Sequence, residues 1–158
     1  YLCKLKGDKM KIKTIEKIID NKFSTFVKSI KDDEIKKLVE KHNIPVNIVG
    51  CKIHRETNGV AMSSRNTRLK PEYKKEAPFI YKTLKAAKEK FGTKSANKIT
   101  EWVEKQFANH DLLELEYFII ADVKTLRPVK RKSNKKAYRA FIAVYADDIR
   151  LIDNIALN

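Results

Sequence analysis

Apolar residues recur along this chain at two different periods, and the change of period separates a helical part from a strand part. From Met10 to His42, Ile12, Ile15, Ile18, Ile19, Phe23, Phe26, Val27 and Ile30 follow an approximately helical rhythm. Thr14, Asn21, Ser24 and Thr25 lower the intrinsic propensity of that stretch. Asp32-Asp33-Glu34 ahead of IKKLVEKH places carboxylates where a helix N-terminus favours them, which predicts a helix over 33–42. After Asn43-Ile44-Pro45, the alternating and β-branched VNIVGCKI predicts a strand, and Asn58-Gly59 a turn. Pro71 then opens a long helical pattern at a first-turn position where its missing N–H costs nothing. Its stripe is Tyr73, Ala77, Ile80, Leu84, Ala87 and Phe91, and it ends at Gly92. Pro78 lies inside the pattern and should kink or divide it.

A further helix is predicted from Ser95 as N-cap, with Ile99, Trp102, Val103 and Phe107 inward. Beyond it the period falls to two. LELEYFIIADV, YRAFIAVYA and DIRLIDNIAL read as three strands, the last two joined tightly at Asp147-Asp148 and the first two by a longer basic connection. Helices followed by a β-meander make an α+β architecture, a small three-stranded antiparallel sheet with a layer of helices. The expected division is a mostly helical N-terminal extension, 1–43, and one domain, 44–158.

Composition changes this picture little. The 158 residues suffice for one core. Cys3 and Cys51 form no CxxC and suggest neither a disulfide framework nor a zinc site. No apolar run matches a signal peptide or a membrane span, so the expectation is a soluble, cytoplasmic protein. The net charge of +15 favours phosphate-bearing partners without choosing among them. Lys124, Arg127, Lys130, Arg131, Lys132, Lys135, Lys136 and Arg139 run without an intervening carboxylate, and a nucleic-acid-binding module is one reading of them. A solvated connection between strands is the preferred one, because stacking aromatics are not interleaved. His42 and His110 stand at predicted helix ends as structural histidines. Lys52 and Arg55 read as rim charges, either attracting anions or simply solvated.

The segment RETNGVAMSSRNTRL, residues 55–69, resembles the pantothenate synthetase (pantoate–β-alanine ligase) family, which carries R-E-x-D/N-G-L/V-A-M/L-S-S-R-N-x-x-L. KPEYKKEAPFIYKTL, LELEYFIIAD with the following TLRPV, and IRLIDNIAL support the resemblance in family order, over residues 44–157. It implies a C-terminal lid domain of helices on a three-stranded sheet, hinged in the complete enzyme to a Rossmann-like domain. It also implies ATP and Mg²⁺, with pantoate and β-alanine as substrates, pantoyl adenylate as intermediate, and commonly a dimer. Chemically, a departing pyrophosphate needs donors and a cation. Ser63 and Ser64 offer hydroxyls and N–H groups, and Arg65 a permanent charge on a planar fork. The KMSKS-type loop of related nucleotidyl-transferring enzymes is similar. The resemblance places Met62 on the adenine side and gives the backbone of His54 an adenine contact.

Two family features have no counterpart here, the paired histidines of HxGH type and the G-x-K-D-F/Y-Q-Q segment, whose place holds roughly TFVKSIK. The expectation is a chain that makes no pantothenate by itself, because one loop cannot orient both substrates. The alternatives are the nucleic-acid module and a non-catalytic remnant of the ligase.

Overall fold

In a computed structural model of the chain, the described residues are 39–45, 53–133 and 135–158. Two compact units are present, Tyr1–Ile53 and His54–Asn158. The helical rhythm from Met10 to Ile30, and the strand expected over VNIVGCKI apart from Ile53, lie outside the described residues.

In the first unit the described stretch is the end of the helix expected over 33–42. Its last turn, 39–41, stops because Asn43 takes a left-handed conformation, φ 48°. Asn43 N–H then donates to Glu40 O (3.1 Å) and Ile44 N–H to Val39 O (3.0 Å), the double closure of a Schellman motif. Pro45 follows, which cannot continue a helix.

The first helical element of the second unit is a short 3-10 helix, Ser64–Arg68. Three α-helices come next, α1 (Pro71–Glu76), α2 (Pro78–Phe91) and α3 (Ala96–Ala108). Three strands complete it, β1 (Glu114–Asp122), β2 (Tyr138–Ala146) and β3 (Ile149–Ala156). Pro78 divides α1 from α2 at Ala77, as its missing N–H requires. The Ser95 hydroxyl caps α3 by accepting from Lys98 N–H at 3.4 Å.

The sheet is an antiparallel meander in the order β1-β2-β3. The β2–β3 turn is the two-residue Asp147-Asp148, with Ala146 paired to Ile149 and Asp147 at φ 58°. Alternate strand residues point at the helices. Phe118 and Ile120, Tyr138, Ala140, Ile142 and Val144, and Ile149 and Leu151 join Ile80, Leu84, Ala87, Phe91, Ile99, Val103 and Phe107 in one core. Each large side chain buried this way contributes about 1.5–3 kcal/mol relative to exposure. Trp102 sits at the margin of the α3 stripe, partly buried, with Lys90 Nζ 4.7 Å from its ring centre.

The basic connection between β1 and β2 is tied down at several points. Lys132 Nζ donates to Phe91 O and, at 3.0 Å, to Gly92 O, so a cation sits on the free carbonyls at the end of α2. Arg139 donates to Asn154 Oδ1 across the strands at 2.5 Å. Asp122, buried at the end of β1, accepts from Lys124 N–H and Thr125 N–H at 2.9 Å each. Its other oxygen lies 3.2 Å from Lys136 Nζ. Lys132, Lys136 and Arg139 are therefore occupied in holding the fold, which weakens the nucleic-acid reading of this stretch.

The Thr125 N–H is the main reason that the Asp122 pKa falls from 3.8 to about 2, with Lys136 and Lys124 N–H acting in the same direction against burial. A carboxylate depressed in the folded state adds stability that is complete above its ordinary pKa and disappears as pH falls through the depressed one. Asp122→Asn should thus lower the unfolding temperature near neutral pH. The gap to wild type should close between about pH 4 and about pH 2. A gap of constant size across that range, in thermal unfolding followed by circular dichroism, would show that Asp122 does not contribute through its charge.

Candidate functional site

Residues 54–62 form a small hairpin. Arg55 and Ala61 are bridged antiparallel, Met62 N–H donates to His54 O at 3.0 Å, and Glu56 N–H to Val60 O at 2.8 Å. Gly59 N–H closes the turn on Glu56 O at 2.8 Å, and Asn58 Oδ1 accepts from Val60 N–H at 3.1 Å. Gly59 has φ 93°, where an L side chain is strained, and a Cβ there would stand 2.8 Å from Cδ1 of Tyr81 on α2. Glycine is required on both counts.

Arg55 joins this hairpin to the sheet. Its Nη1 donates to Gly59 O (3.1 Å) and to Asp153 Oδ2 (2.6 Å), and its Nη2 to Asp153 Oδ1 (3.0 Å). The guanidinium carbon lies 3.7 Å from the centre of the Tyr81 ring, a stacked cation–π contact. The Asp153 side chain is 5% exposed and that of Arg55 19%, so the pair is largely out of water. Removing one partner of such a pair costs roughly 3–5 kcal/mol, because the other charge is left uncompensated.

The return strand of the hairpin runs into the 3-10 helix through Ser63, whose Oγ accepts from Arg65 N–H at 3.2 Å. Asn66 locks the two pieces together. Its Nδ2 donates to Glu56 Oε1 (2.7 Å) and to Ala61 O (3.0 Å), and its N–H to Ser63 O (3.0 Å). At the far end Arg68 pairs with Asp148 at 3.6 Å and Lys70 with Asp147, so the β2–β3 turn also holds the loop.

The five residues singled out from the sequence lie on this one loop. His54 is exposed and its carbonyl is the acceptor of Met62 N–H. Met62 is 51% exposed, unusual for a large apolar side chain. Ser63 and Ser64 are exposed, and Arg65 is half-buried with no ion pair among the described residues. His110 is structural, as expected: Nδ1 accepts from Leu112 and Leu113 N–H, and Nε2 faces Glu76 at 3.3 Å.

Arg55 departs from the solvated alternative for a rim charge, since the fork to Asp153 and the Tyr81 ring withdraw it from solvent. Glu56 and Asn66 were not singled out at all. One signal was available. Ile149, Leu151, Asp153 and Ile155 share the inward face of β3, and a carboxylate among three apolar neighbours demands a buried cation. Nothing in the sequence says which cation.

A two-layer α+β unit presenting a clamped Ser-Ser-Arg loop defines the class. The model of the pantoate-beta-alanine ligase family matches residues 33–156, and the chain belongs to that family. Pantothenate synthetase of Christiangramia forsetii is 59% identical over 124 residues, which cover 78% of this chain and 44% of that protein. The Flavobacterium psychrophilum enzyme is 56% identical with the same shares. Crystal structures similar to this chain include pantothenate synthetase from Thermus thermophilus, TM-score 0.68 at 31% identity, covering 78% of this chain and 44% of that one. Another is pantoate-beta-alanine ligase from Francisella tularensis complexed with beta-gamma ATP and beta-alanine, TM-score 0.50 at 27% identity, covering 78% and 38%. The chain spans less than half the length of these relatives. Among the described residues no helix is long and apolar enough to cross a membrane.

Gly59→Ala adds a strained φ and a clash with Tyr81, and should destabilise the unit by about 1–3 kcal/mol. Urea unfolding measures this directly. An alanine variant as stable as wild type would mean that the turn is free to move away from the ring.

Proposed function

We propose that residues 44–158 form the ATP-facing lid domain of a ligase that joins pantoate to β-alanine through pantoyl adenylate. The observation that carries this reading is how charge is distributed on the 54–70 loop. Arg55, Lys70 and Arg68 are paired with Asp153, Asp147 and Asp148, whereas Arg65 has no carboxylate partner among the described residues. A cation left uncompensated beside two exposed serine hydroxyls suits an anion that arrives with the substrate.

In this reading a carboxylate oxygen of pantoate attacks the α-phosphorus of ATP, the bond to the bridging oxygen of the β-phosphate breaks, and pyrophosphate departs. The amine of β-alanine then displaces AMP from the acyl carbon. Negative charge grows on the leaving pyrophosphate. Arg65 meets it with a planar fork, and Ser63 and Ser64 donate from their hydroxyls. The Ser63 hydroxyl proton is available for this because its oxygen serves as acceptor toward Arg65 N–H. Met62, exposed and apolar, covers the adenine ring, with the His54 backbone beside it.

Mg²⁺ belongs to the same reading as the partner of the ATP phosphates. Among the described residues no three His, Cys, Asp or Glu side chains are grouped to hold a metal ion, so no step is assigned to the ion through this chain. Pantoate and the remaining contacts to the reacting phosphates are assigned to the part of the ligase outside the match. On that assignment these 158 residues alone form no pantothenate, since catalysis requires several groups held around both substrates.

The test places this segment in the full-length Christiangramia forsetii relative, in exchange for the matching residues, and compares Arg65 with Ala. Loss of a preorganised donor to developing charge predicts pyrophosphate release slower by roughly 10²–10³-fold, with pantoate affinity little changed. An unaltered rate of pyrophosphate release would remove the role assigned to Arg65.

A further inference from the structure

We propose that Arg55 is the positioning residue of the Met62–Arg65 segment, acting through Asp153 and Tyr81 and touching no substrate itself. The inference rests on the reading of that segment as a pyrophosphate-binding loop. It adds the device that holds the loop in a binding geometry before ligand arrives.

Three contacts of one guanidinium carry it. Nη1 bonds Gly59 O, which keeps the hairpin turn closed. The fork on Asp153 ties the hairpin to the inward face of the edge strand β3. The face of the group lies on Tyr81, which fixes the hairpin against α2. Asp153 is itself held, since its Oδ1 also accepts from Asn154 N–H at 2.7 Å. From Arg55 the constraint is passed on within the hairpin: Met62 N–H is bonded to the carbonyl of the adjacent His54, and Ala61, the bridge partner of Arg55, is bonded to Asn66 Nδ2.

The other attachments are of a different kind. Arg68–Asp148 and Lys70–Asp147 are exposed pairs at the far end of the loop, where solvent screening leaves such contacts little weight. Of these ionic attachments only the fork is buried, beside the apolar contacts of Val60 and Leu69 with the core. Its charge is also spent: with both Asp153 oxygens on Arg55, that cation does not compete with Arg65 for the incoming anion. Lysine cannot replace it, because a point charge supplies neither the bidentate fork nor the planar stack.

The full 158-residue chain serves for the test, as wild type, Arg55→Lys, Asp153→Asn and Arg65→Ala, in amide hydrogen exchange and in titration with inorganic pyrophosphate followed by amide chemical shifts. Exchange at Met62 and Asn66 should be accelerated about ten-fold more in Arg55→Lys than exchange at amides of α3 and β2. Pyrophosphate affinity should fall several-fold in the same variant, as expected when a binding loop loses preorganisation. Arg65→Ala should abolish the pyrophosphate shifts and leave exchange unchanged. If Arg55→Lys does not fold, Asp153→Asn is read by the same criteria. Wild-type exchange at Met62 and Asn66, or acceleration shared equally by α3 and β2, would overturn the proposal, the latter reducing Arg55 to a general stabiliser. Absence of pyrophosphate binding by the wild type would instead overturn the reading of the loop's ligand, and exchange would still decide the role of Arg55.

Discussion

A single guanidinium–carboxylate fork, between residues 98 positions apart, joins the hairpin of the candidate site to the sheet. Within residues 54–62 Val60 packs against the core, so apolar contact fixes the hairpin only weakly. The Arg55–Asp153 pair adds a buried ionic attachment. Burying two charges is expensive, and well-packed apolar residues often do as well for stability. What a fork provides and an oily contact does not is direction: two parallel N–H···O bonds allow one orientation of the hairpin on β3. Tyr81 and the missing Cβ of Gly59 then set its distance from α2.

Most of the architecture was legible because its causes are local. The α2 stripe, the division at Pro78, the Ser95 cap and the Asp147-Asp148 turn each depend on residues within a few positions of one another. The period-two segments became the three strands in the expected order. The loop was legible in composition, and its five named residues do lie together. Its fastening was not. Arg55 meets Asp153, Lys132 reaches the end of α2, and Asn66 bonds Glu56 through the geometry of the folded chain, which periodicity does not encode. Asp153 on an inward strand face announced a partner, and only the structure names it.

The large positive charge illustrates the same limit from the other side. An excess of Lys and Arg describes the field around a protein, and says nothing of what each cation does. Between residues 124 and 139 the run divides: Lys132 compensates the negative end of a helix, Lys136 holds a buried carboxylate, and Arg139 bridges two strands. On the 54–70 loop the division is sharper. Arg55, Arg68 and Lys70 are used to fasten, and the loop's charge is thereby concentrated at Arg65.

Over most of the unit apolar side chains turn inward and charges are paired or solvated. The Met62–Arg65 segment departs from both, holding out a large apolar side chain and carrying a cation with no ion pair among the described residues. Departures of this kind are costly in a free-standing domain and are expected where a surface is completed by something else. In the proposed reading an adenine ring covers the methionine and a phosphate chain neutralises the arginine. Both belong to one molecule. The order of the residues fits it as well: an apolar contact followed by donors and then a full charge follows a nucleotide from its base toward its outer phosphates. In the proposed reading the fork behind the loop makes that order useful, because it holds the segment, which turns into the 3-10 helix at Ser64, in one place before a ligand arrives.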